Sequence, residues 1–120
     1  MKKVWLVAVL CAFVLVGCGT AKSLVNMSMY STADNGVNNV IEWNGVQYMS
    51  LGSVSASLIG EQVGYANGDK NDKIYAARDC STSEWLIEVA THGDIDSITI
   101  FQERSVQSVP NVIEENMLSD

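Results

Sequence analysis

Few residues of this 120-residue chain have types and spacings that could do chemistry: its only histidine, His92; the thiol of Cys80; the carboxylates Asp94 and Asp96; and the run Asp69-Lys70-Asn71-Asp72. His92, with Asp94 or Asp96 and a serine, has the ingredients of a hydrolytic triad. The sequence holds no GxSxG elbow to present the serine, and His92-Gly93-Asp94 has turn composition. The acid pair alone could serve a glycosidase, but in an acidic protein it reads as the solvated end of a loop. A zinc site needs several soft ligands, and His92 and Cys80 do not make one. In the acidic run, Lys73 and Ile74 stand where a calcium loop requires an oxygen ligand and a glycine, and no glutamate closes it. Gly60 and Gly64 are followed by Tyr65, not by the Lys-Ser or Lys-Thr of a phosphate loop. The expectation is therefore no catalytic residue, no metal, no cofactor and a protein that is not an enzyme.

The elements that position these residues read as strands. Asn44-Gly45 is the dipeptide best suited to a two-residue hairpin turn; it sets Trp43 opposite Val46 and Ile41 opposite Tyr48, all on one face. Ser53 to Gly60 reads as a helical turn capped by Ser53. Glu61–Ala66 is extended, and Asn67 to Asp72 reads as an exposed polar loop. Three strands are expected after it, at 74–79, 85–91 and 97–103. Trp85, Ile87 and Val89 share one face of the second; Ile98 and Ile100 share one face of the third, with Phe101 on the other. The fold class is mainly β, with α+β as the alternative: a small antiparallel sheet of five or six strands with one or two short helical turns. Trp43 and Trp85 are its expected core anchors. After Pro110, Val112, Ile113 and Met117 are spaced for a short helix in a polar tail over 105–120.

Lys2 and Lys3 precede an uncharged run from Val4 to Val16, followed by Gly17 and Cys18. A positive start, an apolar stretch shorter than a membrane span and then a small residue make residues 1–17 a secretory signal. Leu15-Val16-Gly17-Cys18 resembles the lipobox of bacterial lipoproteins. The resemblance implies cleavage between Gly17 and Cys18, a diacylglyceryl thioether and an acyl amide such as palmitate on Cys18, and anchoring in the cell membrane or outer membrane on the extracytoplasmic side. Gly19 in place of Asp implies, by the same resemblance, no inner-membrane retention in a cell with two membranes. Several acyl chains, at ~0.8 kcal/mol per buried CH₂, hold stably where one does not. Residues 18–39, rich in Ser, Thr, Asn and Gly, then read as a lipidated tether, and 40–104 as the globular domain.

Processing removes two lysines and no acid, so the formal charge passes from −7 to −9, with Lys22, Lys70, Lys73, Arg78 and Arg104 dispersed. Such a chain repels phosphate, which excludes nucleic acid as a partner. Cys11 leaves with the signal and Cys18 carries lipid, so Cys80 remains alone and no disulfide forms within the domain. Asp79 and Glu84 beside it raise a thiol pKa, the opposite of what a reactive cysteine needs. Trp43-Asn44-Gly45 with Tyr48, Leu58-Ile59-Gly60-x-x-Val63-Gly64, Ile74-Tyr75 and Ser83-Glu84-Trp85-Leu86 together are similar to a pattern in small uncharacterised extracellular lipoproteins of Firmicutes. Two functions fit these observations: a binding or interaction module at the cell envelope, engaging an envelope protein, or an immunity-type lipoprotein that sequesters a cationic peptide at the membrane. Asp69, Asp72, Asp94 and Asp96 mark the candidate contact loops for either.

Overall fold

Asn44 and Gly45 both take positive φ, 54° and 77°, and the hairpin they turn joins β2 (Asn39–Trp43) to β3 (Val46–Ser53). Its register is the expected one, with Trp43 opposite Val46 and Ile41 opposite Tyr48. A second Asn-Gly pair does the same work. Asn67 and Gly68 have φ of 53° and 74°, and they connect β4 (Ile59–Ala66) to β5 (Asp69–Ala77) with Ala66 opposite Asp69. The exposed loop expected at 67–72 is thus a two-residue turn followed at once by strand. The reason is local: Asn-Gly tolerates the left-handed backbone that two-residue hairpins require.

The computed structural model describes residues 23–32, 39–92 and 95–118. Gly17, Cys18, Asp94 and half of the expected tether lie outside them. Of that tether, Val25–Ser31 forms a strand, β1. The remaining strands are β6 (Trp85–His92) and β7 (Ile95–Glu103). The fold is mainly β, as expected, and seven strands, where five or six were expected, close into a barrel in the order β1-β2-β3-β7-β6-β5-β4. Neighbours are antiparallel except at the seam, where β1 runs parallel to β4 through Val25–Gly64, Asn26–Tyr65 and Met27–Ala66. Without β1 both β2 and β4 would leave an unpaired ladder edge, so Val25–Ser31 is part of the domain and not a spacer.

Two apolar layers result from the alternation of side chains along each strand. Inside the barrel lie Met27, Ile41, Tyr48, Ile74, Leu86 and Phe101. Outside, the face made by Trp85, Ile87 and Ile100 is covered by Val54, Leu58 and Ile113. Ile113 belongs to α1 (Asn111–Glu114), so the polar tail returns as a lid on the outer layer. It is tied down by a Val54–Met117 bridge and by Ser55 N donating to Asn116 O at 2.8 Å. The helical turn expected from Ser53 is a 3-10 turn, Ala56–Leu58, capped by Ser55, because Ser53 still belongs to β3. The two tryptophans anchor different places: Trp85 is fully buried in the outer layer, while Trp43 is half-buried at a mouth of the barrel.

Candidate functional site

The mouth beneath the Asn44-Gly45 turn carries a cleft of about 210 Å³ lined by Trp43, Asn44, Val46, Tyr48, Thr82 and Ser83. Trp43 and Val46 face one another across the hairpin ladder and pack on the interior core, which leaves the indole supported from below and accessible from the side. The opposite wall is the loop between β5 and β6. Ser81 fixes that loop with its own hydroxyl and carbonyl: Ser83 N donates to Ser81 Oγ at 3.1 Å, and Trp85 N donates to Ser81 O at 3.0 Å. The walls are joined where Tyr48 Oη donates to Thr82 O at 2.9 Å. Burial pushes the Tyr48 phenol above its ordinary range, with the Glu103 carboxylate adding to it, so the group is a neutral donor throughout the physiological range.

The rim is polar and mixed in charge. Glu103 accepts from Ser105 N at 3.1 Å, and the two hydrogen bonds from Ser105 hold its carboxyl below the usual range. Arg104 Nη1 donates to Gln47 Oε1 at 2.7 Å, and Gln47 Nε2 donates to Tyr30 Oη at 3.0 Å. A site for a whole small molecule generally needs ~300–1,000 Å³. This cleft has the volume for one side chain of a partner, with an apolar floor and hydrogen-bonding edges.

Of the acidic residues expected to mark the contact loops, Asp69, Asp72 and Asp96 lie among the described residues, and they stand in different settings. Asp69 is exposed at the start of β5, where its Oδ1 accepts from Asn71 N at 2.9 Å. Asp96 lies on β7 and accepts from Thr91 Oγ1 at 3.0 Å, and the loop expected at 92–96 contracts because His92 pairs with Ile95. Asp72 is a strand residue opposite Ala90, on the inner face of the barrel. There it is the diagonal neighbour of Glu88, which is 6% exposed and whose carboxyl is raised to about 8, chiefly by burial and then by Asp72. Glu88 had a signal in the sequence: it sits between Leu86 and Ala90, on the same side of an alternating strand, where a charge is out of place. Cys80 is half-buried, and its thiol is pushed up by burial and by Asp79 and Glu84, against a smaller opposing effect of Arg78. Among the described residues no three His, Cys, Asp or Glu side chains are grouped to hold a metal ion. Comparison with protein-family models, with curated proteins and with solved structures finds no match to this chain.

Proposed function

We propose that this chain is a lipid-anchored, extracytoplasmic binding module that works by noncovalent recognition and uses the Trp43–Tyr48 cleft as its contact surface. The lipobox at Leu15–Cys18 supports the anchor. The cleft carries the binding reading, because a supported, half-exposed indole beside fixed backbone and hydroxyl groups is the composition of a protein–protein contact. The partner is a protein or peptide that inserts one apolar or aromatic side chain, and the acidic balance of the chain favours a cationic one. The membrane is engaged through lipid on Cys18 alone, with no role for nucleic acid.

The experiment uses the processed lipoprotein in detergent micelles with Trp85→Phe, which leaves Trp43 as its fluorophore. Titration with a cationic peptide containing a central Phe or Trp gives a saturable shift in Trp43 emission that persists near ~0.15 M salt, where the Debye length is ~8 Å. The same peptide with Ala at the centre gives none. Equal responses to both peptides, or a response erased by salt, would reduce the interaction to generic acidity. The immunity-type alternative, sequestration of a cationic peptide at the membrane, is favoured by the same charge. It predicts that cells lacking the protein become sensitive to such a peptide and regain resistance only with the Trp43 form.

A further inference from the structure

Within the barrel, away from the cleft, Glu88 of β6 and Asp72 of β5 are diagonal neighbours on the inner face, Glu88 standing opposite Ile74 and Asp72 opposite Ala90. Glu88 is 6% exposed, and Asp72 Oδ1 is buried with no hydrogen-bond partner. The register places Thr99 beside Glu88 and Ser97 beside Ala90, with Met27 of β1 and Ala66 of β4 completing this part of the interior.

No described cation reaches the pair. Lys73 is exposed on the opposite face of β5; Lys70 Nζ lies 6.0 Å from the centre of the Tyr65 ring; Arg78 pairs with Asp79 at 3.6 Å; and Arg104 is bonded to Gln47. Asp69 and Asp96 are both exposed and engaged with Asn71 and Thr91. His92 is the one further titratable residue of β6, at the end of the strand where its backbone pairs with Ile95. Two carboxyl groups in such surroundings cannot both be ionised without large electrostatic and desolvation cost, so one proton between them is the stable arrangement.

We propose that Glu88 and Asp72 form a proton-sharing lock inside the barrel, a pH switch that holds the β5–β6 ladder shut while Glu88 keeps its proton and loosens it when that proton leaves. The proton passes to solvent, and two facing carboxylates remain in the interior. The sign follows from linkage. The folded state binds the Glu88 proton more tightly than the unfolded chain does, so the stabilisation is complete below the ordinary carboxylate range and is lost as pH rises to about 8. A protein on the outside of a cell meets such changes of pH directly.

The test is thermal unfolding of the processed lipoprotein in micelles between about pH 5 and 9, with Glu88→Gln beside the parent. Tm of the parent falls steadily as pH rises, and amide protection factors of Ala90 and Thr91 fall with it. The Gln variant, isosteric and unable to ionise, loses this dependence and exceeds the parent at the alkaline end. A flat parent profile, or an unchanged slope in the variant, overturns the proposal. Carboxyl NMR gives an independent reading: Glu88 titrates near 8 in the parent and lower in Asp72→Asn. Titration in the ordinary range near ~4.3 overturns the lock even if Glu88→Gln fails to fold.

Discussion

Asn67 is bonded twice to the backbone of Met29: its Oδ1 accepts from Met29 N at 2.9 Å and its Nδ2 donates to Met29 O at 2.8 Å. The side-chain amide thereby stands in for one more peptide unit of β4, extending the parallel seam beyond Met27–Ala66. Asn67→Gly keeps the positive φ of the turn and deletes only this clamp. It is expected to lower stability by about 1–3 kcal/mol through the two lost bonds, measured by chemical denaturation. An unchanged midpoint would show that β1 does not need the clamp.

Gly64 explains how closely β1 approaches. A Cβ at this position would collide with Val25 O and lie 3.1 Å from Met27 Cε, and the first of these is backbone that cannot turn aside. Gly64→Ala should therefore displace β1, with a loss of ~3 kcal/mol or more and new proteolytic cleavage near Val25. Gly52→Ala is the control: its Cβ meets only the flexible end of Met117 at 3.0 Å, and its effect should be much smaller.

Trp43 and Trp85 should separate stability from binding. Trp85→Ala empties the outer layer and costs ~3–5 kcal/mol, enough to unfold a domain of this size. Trp43 lines the cleft and is only half-buried, so Trp43→Ala should leave a folded barrel that no longer binds the aromatic peptide. Near-UV circular dichroism and the fluorescence titration distinguish the outcomes; a parent-like Tm for Trp85→Ala would refute the two-layer core.

The proposed lipidation at Cys18 predicts a mature protein that begins at this residue, heavier than its polypeptide by the acyl groups, and found with membranes. Intact-mass spectrometry of the native protein checks the first two points. Cys18→Ala should accumulate in unprocessed form without lipid.

Recognition without catalysis predicts that a His92→Ala, Cys80→Ser double variant retains both the peptide-binding response and biological activity. The raised Cys80 pKa adds a chemical expectation: at neutral pH this thiol reacts with iodoacetamide more slowly than an unstructured cysteine, because less of it is thiolate. Loss of activity in the double variant with its barrel intact would turn attention back to an enzyme.

The first hairpin and the two faces of β6 and β7 were legible because their signals are local. Asn44-Gly45 dictates its own turn, and Trp85-Ile87-Val89 alternates with Leu86-Glu88-Ala90 whatever the partner strand. The strand Val25–Ser31 was not legible. Its apolar positions Val25, Met27 and Met29 alternate with Asn26 and Ser28 in a segment of tether-like composition, and the ladder that makes it a strand is supplied by Gly64 to Ala66, distant in sequence. Asp72 was misplaced for a related reason: its polar neighbours match an exposed loop, yet pairing with Ala90 turns its side chain into the barrel beside Glu88. The cleft was likewise only half visible, with Trp43, Val46 and Tyr48 on one predicted face but Thr82 and Ser83 brought to them through the closed sheet. Turn chemistry and alternation are properties of neighbouring residues. Barrel closure, the choice of inner face and the meeting of two acids depend on which strands exchange hydrogen bonds, and that is decided only when distant segments compete to bury the same apolar surface.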